Sequence, residues 1–182
     1  MSEVFLPVPL EGSEWVIPVS EELINWSTGL GGRSREPSRW TVDILDVDGS
    51  GAPRKYAATP WFANSFLVLK GQAIEELGPR LSEFGELIPL VAENRPNENL
   101  LLFDCLTVCD VLDEEMTEFR IAPSGRRMGV ATYGFKSEVV KDLVAFKPSE
   151  FPNGPLLLSS TLVEQLRKVQ SSGTGFERVW AA

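Results

Sequence analysis

The stretch NLLLFDCLTVCDVLDEEMTEFRIA, residues 99–122, concentrates both apolar residues and acids. If it is extended, alternate side chains lie on opposite faces, and one of these faces is almost wholly apolar. The pattern therefore predicts a strand at the centre of a sheet, although a buried helix also fits the apolar run. The residues on the apolar face are Leu101, Phe103, Cys105, Thr107, Cys109 and Val111.

The acids of this stretch predict a surface that binds a partner. Charged side chains are seldom buried without partners, so we expect the chain to turn toward solvent after the apolar run. Residues 83–118 contain ten acids and one base, and their net charge of −9 equals that of the whole chain. Because the excess charge is local, it can steer a basic partner toward one surface. The partner-binding residues we predict are Asp110, Asp113, Glu114, Glu115, Glu118 and Glu98.

Length and composition are those of an ordinary globular protein. A chain of 182 residues suits one generous domain or two small ones. The sequence has no basic and apolar leader at its start and no run of about 18 apolar residues, so we expect a soluble, cytoplasmic protein that does not bind membranes.

The absence of histidine excludes several kinds of active site. Ser-His-Asp triads, Cys-His pairs and histidine-ligated metals all require it, and it is the usual general base near neutral pH. The glycine-rich segment 27–38, with Arg33, Arg35 and Arg39 in or beside it, lacks the lysine of a phosphate-binding loop. Asp43, Asp46 and Asp48 before Gly49 do not have the spacing of a calcium loop. We therefore expect no catalytic residue, no metal and no cofactor.

The two cysteines are expected to be reduced. On a strand, Cys105 and Cys109 have Cα atoms about 13 Å apart, beyond the ~7 Å limit for a disulfide. On a helix they would be neighbours, but there is no further cysteine or histidine to complete a zinc site. We expect both thiols on the buried face of the central strand, with slow reaction until the protein unfolds.

The N-terminal part of the chain reads as β-rich. Pro7, Pro9 and Pro18 predict edge strands or extended cover segments, because proline has no amide to donate. A helix is expected at 20–26, capped by Ser20, and a hairpin is expected over 39–62. We place a domain boundary after residue 63, with an N-terminal segment 1–63 and an α+β domain 64–182 that pack together.

Two segments of the chain resemble each other at an offset of 89 residues. Each reads as strand, helix and strand, which predicts two similar units. In the first unit Gly78 and Pro79 should break or restart the helix after Leu77. In the second, Thr161 and Glu164 fit a capping box and Gly173 should end the helix. Between the units we expect a hairpin turning at 123–126 and a short helix at 137–143. The fold class is therefore α+β, with a mixed or antiparallel sheet.

Three stretches of the sequence resemble those of a known protein family. VCDVLDEE, VAFKPSEFPNGPLLLSSTLVEQLRKV and GTGFERVW follow the pattern of the immunity proteins numbered eleven among those of polymorphic toxin systems, over roughly residues 64–180. The resemblance implies an α+β protein that binds and neutralises a toxin encoded beside it. The family has no catalytic motif to transfer, and a basic nuclease is one candidate toxin, since an acidic surface can take the place of phosphates.

Two other functions fit the sequence. One is an adaptor or chaperone that loads a secreted effector without inhibiting it. The other is a hydrolase that uses two carboxylates, with Asp104, Asp110 and Glu118 as candidates. A carboxylate pair in an open cleft would favour the hydrolase.

Overall fold

The chain forms two five-stranded sheets and a separate two-stranded sheet, with four helices, in the residues that the structure describes. The structure is a computed structural model and describes residues 2–28, 40–170 and 172–182. The expected mixture of helices and mixed sheets is confirmed. The strands are β1 (Glu3–Pro9), β2 (Trp15–Pro18), β3 (Thr41–Leu45), β4 (Phe66–Lys70), β5 (Gly85–Ala92), β6 (Leu100–Cys105), β7 (Val108–Cys109), β8 (Glu118–Ile121), β9 (Arg127–Thr132), β10 (Ala145–Pro148), β11 (Leu157–Ser159) and β12 (Thr174–Ala181). The helices are α1 (Glu21–Thr28), α2 (Gln72–Leu81), α3 (Ser137–Val140) and α4 (Ser160–Lys168).

The first sheet has the order β12-β1-β11-β10-β7. β1 lies inside it, antiparallel to β12 on one side and, through Val4 and Phe5, to β11 on the other. The prediction of an edge or cover segment was therefore wrong for this part of β1. Pro7 and Pro9 lie beyond the end of β11, which leaves one of their sides unpaired, and this is the condition under which a strand tolerates proline.

The second sheet has the order β2-β3-β5-β6-β4, and β2 with its Pro18 is an edge strand, as predicted. β6 is antiparallel to both of its neighbours, β4 and β5. Leu101 and Phe103 face one core, and Leu100 and Leu102 face another. β6 is thus buried on both faces, which explains why its sequence is apolar at odd and even positions alike.

Three hydrophobic cores hold the sheets and helices together. The first lies between the sheets and receives Leu77 from α2 and Leu162 from α4. The second packs Trp26 of α1 against the other face of the second sheet, where its ring stacks on Phe66. The third covers the opposite face of the first sheet and contains Phe135 among its buried residues. The first sheet, like the second, is therefore covered on both faces.

The elements β4, α2 and β5 are consecutive in the chain, and so are β11, α4 and β12. In each set the two strands are not direct neighbours in their sheet. A strand from another part of the chain lies between them: β6 between β4 and β5, and β1 between β11 and β12. The relation between the two segments stays a prediction, and so does the boundary at residue 63. β1 pairs with two C-terminal strands, and β2 and β3 belong to the same sheet as β4, β5 and β6.

Several local predictions are confirmed. In α1, Leu23 and Trp26 are buried, and the amide of Leu23 donates to the Ser20 hydroxyl at 3.2 Å. β8 and β9 form the expected hairpin, whose tight turn uses Gly125 at a φ of 82°. α3 lies within the short helix expected at 137–143. The arginine-containing loop expected at 27–38 lies outside the described residues from residue 29 onward.

The predicted ends of the two longer helices were wrong. α2 continues through Gly78 and Pro79 to Leu81: the proline removes one helical hydrogen bond, and this loss is offset by the full burial of Leu81. The cap of α4 is Ser159, whose hydroxyl accepts from the Leu162 amide at 3.4 Å, rather than Thr161. α4 ends at Lys168, and Gly173 has a different role: a Cβ there would lie 2.4 Å from the Cβ of Ala57.

The hairpin expected over 39–62 forms only in part. The turn after β3 is held by Asp48, whose carboxylate accepts the amide of Ser50 at 2.8 Å. The returning chain meets the outgoing chain only at the bridge between Val47 and Pro53. It then pairs with residues 12–16 instead, because the neighbours of β3 are already β2 and β5.

The central strand is shorter than predicted. β6 ends at Cys105, and Val108 and Cys109 form β7, parallel to β10 at the edge of the first sheet. The chain leaves one sheet and enters the other at Leu106 and Thr107, where the Thr107 hydroxyl donates to the Phe84 carbonyl at 3.3 Å. The expectation that both thiols share one buried strand face was therefore wrong. Both cysteines are free, but Cys105 is buried and Cys109 is half-buried.

We predict that the two thiols react at different rates in the folded protein. Burial raises the pKa of the Cys105 thiol, which lowers its thiolate fraction, and the side chain is only 2% exposed. A thiol reagent at pH 8 should therefore modify Cys109 first. The Cys109→Ser variant should lose the faster phase, whereas Cys105→Ser should keep it. Equal rates for the two thiols would contradict this assignment.

Candidate partner-binding surface

The acidic segment 110–118 is a turn organised by Asp113. Its carboxylate accepts the amides of Glu115 at 2.9 Å and Met116 at 3.3 Å, and its carbonyl accepts the amide of Thr117 at 2.9 Å. Aspartate favours such turns because its short side chain reaches the backbone two residues on. Val111 is fully buried in the third core. The turn is therefore anchored to the protein while its acids extend into solvent.

Three of the acids bind residues that follow the turn. Asp110 forms an ion pair with Lys136 at 2.6 Å, and Glu118 accepts a hydrogen bond from Thr132 at 2.8 Å. Glu114 receives both terminal nitrogens of Arg127, at 2.8 and 2.9 Å. Such a bidentate pair fixes orientation as well as distance.

Arg127 joins the turn to the hairpin. Its guanidinium lies 3.8 Å from the ring centroid of Phe119, which packs against the third core. The hydrogen bonds and charge of Arg127 hold the pKa of Glu114 below its ordinary value, and those of Asp110 raise the pKa of Lys136. The turn and the β8–β9 hairpin therefore form one continuous surface.

The structure brings five of the six predicted residues together and places Glu98 elsewhere. Within the described ranges, Glu115 has no ion pair. Glu98 precedes β6, 3.8 Å from Arg95, whereas the other five acids follow β6. Six residues of strand span roughly 17 Å, so Glu98 is separated from the turn by the length of β6.

The surface around the turn carries both signs of charge. Residues 110–141 contain six acids and five bases. The net charge of −9 was counted over residues 83–118, and this range ends just before the five bases. It therefore overstates the negative charge of the folded surface. The five bases that the sequence-based prediction did not include are Arg120, Arg126, Arg127, Lys136 and Lys141.

The carboxylates considered for hydrolysis do not share a cleft. Asp104 is buried and pairs with Lys147 at 2.8 Å, and the two side chains are only 7% and 0% exposed. Asp110 and Glu118 lie on the surface with the partners described above. The geometry therefore does not favour a two-carboxylate hydrolase built on these residues.

Neither a metal site nor a membrane span is found in residues 2–28, 40–170 and 172–182. No group of three or more potential ligands there could hold a metal ion. None of the helices in these ranges is both long and apolar enough to cross a membrane.

An open groove of about 530 Å³ lies beside the hairpin. Leu6 of β1, Tyr133 after β9, Phe151 and Val179 of β12 line it with apolar surface, and Arg120 adds a cation. These residues come from distant parts of the chain. Local sequence patterns therefore gave no signal for the groove.

The fold and this surface define an α/β protein that presents an anchored acidic turn, a hairpin and an open groove to solvent. Residues 69–181 match the immunity protein family Imm11. This match covers more than half of the chain, so the protein belongs to the Imm11 family of immunity proteins, as the resemblance in its sequence suggested. No curated protein matches the chain.

We predict that Arg127 controls the ionisation of Glu114. Arg127→Gln should raise the Glu114 pKa toward its ordinary value, which a carbon-13 NMR titration of the carboxyl group measures. Arg126→Gln, on the same hairpin, is the control and should leave the Glu114 pKa unchanged.

The Glu114–Arg127 pair also contributes to the stability of the fold, and the direction of the pKa shift gives the pH dependence of this contribution. Because the pKa of Glu114 is lowered in the folded state, the pair stabilises the fold above the unfolded-state pKa and loses this effect as pH falls through the folded-state pKa. An unchanged Glu114 pKa in Arg127→Gln would show that the ion pair does not persist in solution.

Proposed function

We propose that this protein binds the toxin encoded beside it and neutralises that toxin in the cytoplasm without catalysis. The observation that carries the proposal is membership of the Imm11 family across residues 69–181. The matched range includes the acidic turn, the hairpin and most of the groove. A stoichiometric inhibitor needs a stable, preformed surface, and the anchoring of the turn by Asp113, Glu114 and Arg127 supplies one.

The acidic turn is the part of this surface that we assign to partner encounter. Asp110, Asp113, Glu114, Glu115 and Glu118 lie together, and all but Asp113 are exposed. If the toxin is a basic nuclease, these carboxylates take positions that phosphates occupy in its substrate. Glu98, at the other end of β6, is assigned to a separate contact at the edge of the same interface.

We predict protection that requires nearly equal amounts of the two proteins. The complete chain should co-purify with the toxin domain encoded directly upstream, and toxin activity in a titration should reach zero near one immunity protein per toxin. Full protection at trace ratios would contradict a binding mechanism. Binding without protection would point instead to an adaptor that loads the effector.

We also predict that the acidic turn increases the rate of association with that toxin. Replacing Asp113, Glu114, Glu115 and Glu118 by their amides should slow association by about three- to tenfold at low salt and weaken its dependence on salt. Dissociation should change less, because exposed charges act over a Debye length of about 8 Å and govern encounter more than lifetime. Stopped-flow fluorescence measures both rates.

The control changes the same number of charges elsewhere. Glu11, Glu75, Glu76 and Glu164 are exposed, and their replacement by glutamine removes four negative charges away from the turn. This variant should associate with the toxin at nearly the rate of the unaltered protein. Equal association rates for the two fourfold variants would contradict a steering role for the turn.

A further inference from the structure

The groove is bordered by two edge strands. Within the part of the chain that the structure describes, β9 pairs only with β8, and β12 pairs only with β1. Each strand therefore has one side whose backbone groups are not used in a sheet. Such edges are templates on which another extended chain can add a strand.

The residues that line the groove show that it follows these two strands. All six residues 128–133 line it, and so do residues 177–179 of β12. Successive side chains of a strand point to opposite faces, so a cavity on one face would contact only every second residue. Contact with every residue in turn means that the backbone of β9, as well as its side chains, borders the groove.

The side chains of the groove favour a particular kind of segment. Tyr133 and Phe151 belong to the partly buried shell of the third core, so one part of the groove wall is apolar. Arg120 lines the groove and forms no ion pair within the described ranges. Arg178 lines it too, but is already paired with Glu3 at 2.7 Å. Glu177 also lines the groove and has no ion pair within the described ranges. Of these two unpaired charges, Arg120 is the cation that can bind a carboxylate of the bound segment.

We infer that the groove binds an extended segment of the toxin, which pairs with the free edge of β9 as an additional strand. About six residues fit beside 128–133, since each residue of a strand spans about 3.3 Å. Alternate apolar side chains of this segment contact Leu6 and Phe151, and an acidic side chain binds Arg120. The backbone pairing supplies affinity and the side chains supply selectivity. This inference rests on the proposed function and adds the mode of toxin binding to it.

The test fills the groove without disturbing the core. Ala131 is exposed on β9 and lines the groove, so Ala131→Trp should occupy the space that the toxin segment needs. The matched control is Ala52→Trp, at an exposed alanine in the turn after β3. Calorimetry with the toxin domain encoded directly upstream should show at least a tenfold loss of affinity for Ala131→Trp and less than a twofold change for Ala52→Trp.

A second pair of variants tests the role of the positive charge of Arg120. This test does not require Ala131→Trp to fold normally. Arg120→Glu should weaken toxin binding about tenfold or more, whereas Arg126→Glu, an exposed position of the same hairpin that does not line the groove, should change it less than twofold. Hydrogen exchange of the unaltered complex should show slower exchange of amides in 128–133 than in the free protein.

The possible results separate this inference from the proposed function. If the unaltered protein binds the toxin but Arg120→Glu and a folded Ala131→Trp bind equally well, the groove is not the binding site and the immunity function stands. If the unaltered protein does not bind the toxin, both proposals fail. If Ala131→Trp dissociates a dimer of this chain and leaves toxin binding unchanged, the groove belongs to a second copy and the inference is overturned.

Discussion

The buried ion pair between Asp104 and Lys147 fixes how the two sheets meet. Asp104 belongs to β6 in the second sheet, and Lys147 belongs to β10 in the first. Moving two charges out of water costs several kcal/mol per ion, which the attraction offsets only at good geometry. A shift of one sheet against the other would separate the charges inside the protein. The pair therefore strongly disfavours alternative packings, and Lys147 further lies 5.2 Å from the ring centroid of Phe66.

The candidate surface depends on this junction. After β6 the chain crosses to β7, which pairs with β10 beside Lys147, and the acidic turn begins directly after β7. The turn and the hairpin then cover the third core on the outer face of the first sheet. The same packing that orders the turn leaves part of that face uncovered next to β12, which creates the groove. The candidate surface is therefore anchored where it carries charge and open where it exposes strand edges.

Much of the local structure could be predicted because it depends on residues close together in the chain. The Ser20 cap and the turn of the β8–β9 hairpin both follow from short-range patterns. The acidic turn is of the same kind, since Asp113 binds amides only two and three residues away. The wrong helix ends have a tertiary cause: burial of Leu81 carries α2 through a proline, and Gly173 is needed for close approach to Ala57.

The sequence by itself determined the mixed α/β class, the family, the exposure of most acids in segment 110–118 and the exclusion of histidine-based chemistry. Only the tertiary structure decided which strands pair, that β1 enters between β11 and β12, and that Cys105 and Cys109 belong to different sheets. It also decided that Glu114 meets Arg127 and that Leu6, Tyr133 and Phe151 line one groove. The reason is physical. Periodicity and capping depend on interactions over a few residues, whereas strand pairing, ion pairs and grooves depend on which distant surfaces are complementary once the apolar faces are buried.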